Sequence, residues 1–351
     1  MSHLILWYRA AVLLFFCAFT SLSLHAQDVQ NPGNYMTYIA DKERFVTKTY
    51  LTYLSAVSHG KSARKVEKLR EKVLNTIYET RIDVSGVPPF KGDKTLRDAA
   101  VNFLKTCYSV FNEDYSKIVN MEEIAEQSYD AMEAYMLAQE KANEKLDEAA
   151  KLKTDVATQF ASRFNVTIVD TKDELSLKAE QSGKVIEYYN KIYLVFFKSH
   201  KQDMYLTDAL NASNLNAAEQ SRSALLKYAT EGLKEIEAIK AFQSDLTLVT
   251  ACKKVLLFYK DMCENKVSVM TDYLLADENY KKAKKTFDQK PAAKRTQEDV
   301  DSFNKAVNDM NNAGKTYNKI NAQINKDRSS LLDLWNKTVS TFMDNHIPYT
   351  K

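Results

Sequence analysis

Glycine and proline are scarce in this chain of 351 residues: it has seven glycines and five prolines, where globular proteins average roughly 7% and 5%. With Ala, Lys, Glu, Leu and Asn plentiful, that shortage predicts an almost entirely helical protein. Pro32, Pro88, Pro89, Pro291 and Pro348 all fall where the apolar periodicity stops, as expected of a residue that lacks an N–H and clashes with the preceding turn. Glycines this scattered make no phosphate-cradling loop and no dinucleotide-binding turn.

Metal ligands and nucleophiles are equally sparse. Beyond Ala26 the histidines are His59, His200 and His346, with no His-x-x-x-His or Cys-x-x-Cys spacing, so a zinc site is not expected. No Gly-x-Ser-x-Gly occurs, and the carboxylate pairs Glu122-Glu123 and Asp173-Glu174 read as helix caps before they read as acid–base catalysts. The expectation is no catalytic residue, no cofactor and no metal. Beyond Ala26 the cysteines are Cys107, Cys252 and Cys263, an odd number that excludes a disulfide-stapled scaffold. Cys252 and Cys263 lie about 16 Å apart along one helix, too far to bond. Buried thiols are expected, with a bridge from Cys107 to one of the other two as the alternative.

Charge of one sign is also lacking. The 49 basic and 46 acidic residues leave a net +3, which excludes the dominant basic stripe of a nucleic-acid surface. One local exception, Lys281-Lys282-Ala283-Lys284-Lys285 through Lys294-Arg295, sets seven cations against Asp288. It reads as a solvated helix end, with contact to an anionic surface as the alternative.

The one long apolar run lies at the start. Arg9, the apolar stretch 10–24 and the end His25-Ala26 before Gln27 fit a cleavable export signal over 1–26, too short to span about 30 Å of hydrocarbon. The ending Ala26-Gln27 resembles signals of Bacteroidetes-type Gram-negative bacteria. A lipid anchor at Cys17 is not expected, because Phe16 stands where lipoproteins carry a small residue. The mature chain is expected in the periplasm, at the surface or secreted, without a membrane span.

What remains is 45% hydrophobic and 11% aromatic, enough for real cores. Apolar residues at helical spacing predict helices over about 35–57, with Tyr38, Phe45, Tyr50 and Leu54 on one face, over 62–80, and from Asp93 to about 119. A long helix from a capping box at Asn120–Glu123 follows, with Met121, Ile124, Met132, Tyr135, Ala142, Leu146, Leu152, Val156 and Phe160 as its apolar stripe. A second box at Thr171–Glu174 opens a similar series over 185–196, 217–240 and 246–270, and a last helix broken by Pro291 restarts at Thr296, whose hydroxyl and Asp299 can cap it. Gly314 sits in its apolar seam, marking a close approach or a weak point. The 20 tyrosines, clustered as Tyr50/Tyr53, Tyr188/Tyr189/Tyr193 and Tyr273/Tyr280, read as core or boundary packing.

FKGDKTL at 90–96 returns as FQSDLTL at 242–248. A shift of 152 residues also pairs Glu67 with Glu219, Arg70 with Arg222 and Leu74 with Leu226. Phe90, Asp93, Thr95, Leu96 and Ala99 meet the identical Phe242, Asp245, Thr247, Leu248 and Ala251, more than residue usage explains. The chain therefore reads as an internal duplication. Pairing Tyr50-Leu51 with Tyr193-Leu194 requires nine extra residues near 203–211, expected in a loop. In each motif the Phe is expected to plug a bundle end and the Asp to cap the next helix. The rival reading is that Asp and Thr oxygens bind a cation or sugar hydroxyl, although calcium wants six or more oxygens.

PPFKGDKTLRDAAVNFLK (88–105) with the long charged helix after it resembles a bacterial family of exported, often lipid-anchored, all-helical surface proteins of unknown function. The resemblance covers mainly about 40–165 and more faintly 185–345, and implies an envelope location and no chemistry. The expected architecture is all-α: tandem antiparallel bundles of about four helices each, units 27–165 and 166–351 after the signal. A non-enzymatic protein that binds another protein or an envelope component, and no nucleic acid, is the leading expectation. A small-ligand or glycan-binding module and an enzyme with a site assembled between the bundles are the alternatives.

Overall fold

The computed structural model describes residues 31–114, 125–169 and 173–349. The expected leader and the capping box at Asn120–Glu123 lie outside these. Among the described residues there are nine α-helices and no strand. They are α1 Pro32–Ser58, α2 Ala63–Ser85, α3 Thr95–Ser109 continuing as a π-helical turn Val110–Asp114, α4 Tyr129–Arg163, α5 Glu174–Asn211, α6 Leu215–Ala238, α7 Thr247–Asn265, α8 Val267–Gln289 and α9 Gln297–His346.

The chain forms two compact units, one made of the residues up to Asn190 together with those from Ser340, the other of Lys191–Val339. The expected boundary at 165/166 followed a short break in the helical pattern over 166–170. Compactness divides the chain elsewhere because α5 and α9 each give residues to both units.

In the first unit the helix starts follow local chemistry. Asn31 caps α1 by accepting from the amides of Gly33 (2.8 Å) and Asn34 (3.3 Å), with Pro32 in the first turn. Ser128 caps α4 through the amide of Ala131 at 3.1 Å. At the start of α5 Asp173 accepts from the amide of Ser176 at 2.8 Å, and Thr171 of the expected second capping box lies outside the described residues.

The core face of α1 is Tyr35, Ile39, Val46, Tyr50, Leu54 and Val57, not the face predicted through Phe45, which is 59% exposed. A one-residue step on a helix is about 100°, so Val46 inside puts Phe45 outside. Leu152 of α4, at 62% exposure, misses its expected stripe for the same reason. Tyr35, Phe90, Phe160 and Phe164 pack ring on ring, with centroids 4.7–5.7 Å apart. Glu43 of α1, 3% exposed, pairs with Lys153 of α4 at 2.8 Å, and the ammonium lies 4.7 Å from the centre of the Phe103 ring.

The second unit repeats the arrangement. Arg70 pairs with Glu67 and donates to the carbonyl of Phe111 at 3.5 Å, and Arg222 pairs with Glu219 and donates to the carbonyl of Cys263 at 3.2 Å. Every partner in the second set lies 152 residues after its counterpart, so the tertiary contact was duplicated with the sequence. The nine-residue loop expected near 203–211 is absent. Residues 203–211 are the last turns of α5, and α1 and α5 end alike. Lys61 N–H donates to Ala56 C=O at 3.0 Å and Asn214 N–H to Ala209 C=O at 2.9 Å, the six-to-one closure of a helix end. Tyr50 and Tyr193 are both buried, but the matching helix ends make their alignment accidental. The predicted helix over 246–270 is two, parted at Lys266, where φ is −122°.

Helices α8 and α9 run on as an antiparallel pair in which no residue from 275 to 323 is fully buried. Tyr273, Tyr280 and Phe287, seven residues apart, meet Tyr317 (4.6 Å), Phe303 (6.2 Å) and Phe303 again (4.6 Å), the spacing of a two-helix seam. The basic run on this pair is largely neutralised. Lys281, Lys282, Lys284 and Lys290 pair with Asp277, Glu278, Asp288 and Asp299, and all of these acids but Asp288 lie outside the stretch 281–295. Thr296 and Asp299 cap α9 reciprocally, as expected.

Two helical glycines make opposite predictions. A methyl on Gly232 would lie 2.9 Å from Val195 Cγ1 and 3.3 Å from Leu256 Cδ1, so Gly232→Ala is expected to lose about 1–3 kcal/mol to overpacking. On Gly314 it would meet the Tyr273 ring at 3.4 Å, an ordinary contact, and Gly314→Ala is expected to gain about 0.5–1 kcal/mol. Thermal denaturation of the two variants checks both, and equal signs would refute the assignment.

Candidate functional site

The repeated motif is a tight turn feeding a helix. Phe90 and Asp93 exchange both backbone hydrogen bonds at 2.8 Å, and Phe242 and Asp245 do so at 3.0 and 2.8 Å. Lys91, Gly92, Gln243 and Ser244 all have φ between 47° and 85°, the mirror-image turn that requires positive φ at both central positions.

Asp93 is not the cap residue itself, because Lys94 and Leu246 occupy that position. Its carboxylate instead accepts from the amide of Thr95 at 2.8 Å, and Asp245 from that of Thr247 at 2.7 Å. That still satisfies the first free N–H of α3 and α7. Leu96, Leu248 and Ala251 are buried and Ala99 is half-buried. Phe90 plugs its bundle as expected, whereas Phe242 is only half-buried.

The oxygens of Asp93 are already engaged, Oδ1 by the Thr95 amide and hydroxyl, Oδ2 by the Arg163 guanidinium. Burial opposes ionisation of this carboxyl, but those bonds outweigh it and hold the pKa below its ordinary value. A cation would have to displace Arg163, so the turn is a joint and not a ligand set. Asp93→Ala is expected to cost about 1 kcal/mol, measured by denaturant unfolding. Because the carboxyl is depressed in the fold, its stabilisation is present above about pH 4 and fades as pH falls toward the depressed value.

Two groupings appear only in the folded chain. In the first unit Ser55 Oγ lies 3.3 Å from His59 Nδ1, and Asp344 Oδ1 lies 3.8 Å from His59 Nε2. The resemblance to a nucleophile–base–acid series fails on one distance. His59 Nδ1 is 2.6 Å from the Ser55 carbonyl oxygen, so Nδ1 carries the hydrogen and cannot accept one from the hydroxyl. Tyr349 stacks on the imidazole at 3.6 Å and its hydroxyl donates to Asp344 at 3.0 Å. The group braces the end of α1.

In the second unit a pocket of about 240 Å³ opens between the ends of α5 and α7, the start of α8 and the middle of α9. Leu206, Leu210, Met262, Val267, Met270 and Ile324 are its buried apolar floor; Thr207, Asn211, Tyr317, Asn321, Asn325 and Arg328 line the rest. Arg328 holds the buried Asp203 with two bonds of 2.8 Å. The sequence signal for this pocket is Asn321, Asn325 and Arg328 at i, i+4 and i+7 beside the apolar seam of α9, a polar stripe that reads as surface until α5 is placed against it.

A wider groove of about 510 Å³ lies on the first unit between α1 and α2, lined by Tyr38, Asp41, Lys42 and Phe45 from one helix and Thr76, Glu79, Thr80 and Asp83 from the other. Lys42 pairs with Asp83 at 2.6 Å.

Cys107, Cys252 and Cys263 are free and buried. Burial pushes the Cys107 and Cys263 thiols up to about 12 and raises Cys252 as well, so none is a thiolate nucleophile at neutral pH. His200 donates to or accepts from the Tyr259 hydroxyl at 3.0 Å, and burial lowers its pKa. Among the described residues no three His, Cys, Asp or Glu side chains gather as a metal site, and no helix is long and apolar enough to cross a membrane. Comparison of the chain with protein-family models, curated proteins and solved structures gave no match.

Proposed function

We propose that this is an exported, non-enzymatic protein of a bacterial cell envelope that binds a protein partner through the α1–α2 groove of its first unit. The observation that carries the reading is Phe45, an aromatic ring 59% exposed on the wall of that groove. Leaving such a ring in water costs roughly 1.5–3 kcal/mol relative to burial, which a partner recovers on docking. The groove sets three carboxylates, Asp41, Glu79 and Asp83, against one ammonium, Lys42, so the complementary partner presents a basic segment carrying an apolar side chain. The export signal expected over 1–26 supports the location, and the resemblance of 88–105 points to the same compartment.

Cross-linking and pull-down from intact cells with the mature protein as bait tests this directly. A partner captured by the wild type and lost with Phe45→Ala and with Glu79→Lys is the expected outcome. Recovery of nothing above background, or of the same proteins by all three baits, would overturn it.

A further inference from the structure

We infer that the pocket of the second unit binds a short, uncharged peptide segment, taking one aliphatic side chain on its floor and the neighbouring amides on its rim. Three observations carry this. The floor is apolar and closed by six buried side chains, two of them methionines that adapt to the shape of what they hold.

The rim has no charge to spare, because both ends of the Arg328 guanidinium fork are committed to Asp203. An ion of either sign would therefore lose its hydration without a partner. What Arg328 does instead is orient amides. Its Nη1 donates to Asn325 Oδ1 at 2.7 Å, which turns the Asn325 amide nitrogen onto Asn321 Oδ1 at 3.3 Å. Asn321 is left with its NH₂ as donor, Asn211 and Tyr317 add a further carboxamide and a hydroxyl, and Thr207, whose hydroxyl donates to the Asp203 carbonyl at 2.8 Å, adds an acceptor. Carboxamides pair with peptide groups in both senses, donor and acceptor.

The third observation is an internal precedent. The ends of α1 and α5 close alike, Lys61 onto Ala56 and Asn214 onto Ala209, 153 residues apart, which matches Asn211 of α5 with Ser58 of α1, next to His59. At the first-unit corner a peptide segment is already seated. Ile347 is 2% exposed and Tyr349 stacks on His59 at 3.6 Å. The second-unit corner is the open copy of a place that in the first unit holds chain.

The test uses the mature protein with ¹³C-methyl methionine and N-acetyl-leucinamide as probe, followed by NMR. Saturable shifts confined to Met262 and Met270 are expected. N-acetyl-leucine, with a carboxylate, and leucinamide, with an ammonium, should each bind about tenfold or more weakly. Asn321→Leu, at a half-exposed position, should weaken the neutral probe by about tenfold. Met270→Trp should abolish binding by filling the floor, its folding checked by circular dichroism. Absence of saturable shifts, equal binding of the three probes, or wild-type binding by Asn321→Leu would each overturn the inference, and none bears on the α1–α2 groove.

Discussion

Lys153→Ala is expected to destabilise the first unit by about 3–5 kcal/mol, the cost of leaving a buried charge without its partner. Glu43 is 3% exposed and its Oε2 is held by Lys153 at 2.8 Å. Burial already raises the Glu43 carboxyl above its ordinary value, and Lys153 supplies the influences that lower it. Without the ammonium the raising influence stands alone. A carboxyl raised by folding stabilises the fold fully below its unfolded value and loses that contribution as pH climbs through the folded value. The deficit of Lys153→Ala should therefore be larger near pH 8 than near pH 5. Hydrogen exchange of α1 and α4 amides at both pH values measures it. Replacing both partners, Glu43→Leu with Lys153→Met, should be neutral or stabilising by about 1–4 kcal/mol. A double variant as damaged as the single one would mean that the site cannot be repacked and would sink the charge argument.

Trp335→Ala should cost the second unit about 3–5 kcal/mol. The indole is 1% exposed and lies face to face with Phe196, centroids 4.3 Å apart and planes at 12°, and Phe196 in turn stacks on His200 at 5.2 Å. Removing the indole leaves a cavity between α5 and α9 that neither helix can close without losing the Asp203–Arg328 bonds nearby. Trp335→Phe keeps one ring in the stack and should cost less than half as much. With Trp7 in the expected leader, Trp335 is the sole tryptophan beyond Ala26, so its fluorescence follows wild-type unfolding of the second unit, and circular dichroism compares the variants. A loss under about 1 kcal/mol for Trp335→Ala would show that the core there is loose rather than packed.

The all-helical class, the positions of most helices and the duplication were legible in the sequence because each rests on local or periodic signals. Scarce glycine and proline, apolar spacing near 3.6 and the Thr296–Asp299 cap all act within a few residues. The failures have separate causes. Phe45 and Leu152 were assigned to core faces that a single 100° step moves outward, and only the neighbouring helix decides which of two adjacent stripes is covered. Lys266, which parts α7 from α8, carries no proline or glycine to announce the break. The loop expected over 203–211 came from matching Tyr50 to Tyr193. A tyrosine pair is weak evidence of register beside two helix ends that close with the same hydrogen bonds.

The sequence alone determined that this protein is helical and built twice, and that FKGDKTL and FQSDLTL are the same joint, since turn chemistry and helix starts are set by residues in contact along the chain. Tertiary structure decided what surrounds those joints. It placed Glu43 in a core beside an ammonium 110 residues away, and gathered Asn321, Asn325 and Arg328 against the end of α5 into a pocket. It also turned Ser55, His59 and Asp344 into a brace instead of a catalytic series. Burial and charge pairing depend on which helices meet, and that is fixed by packing across the whole bundle rather than by any stretch of residues read in order.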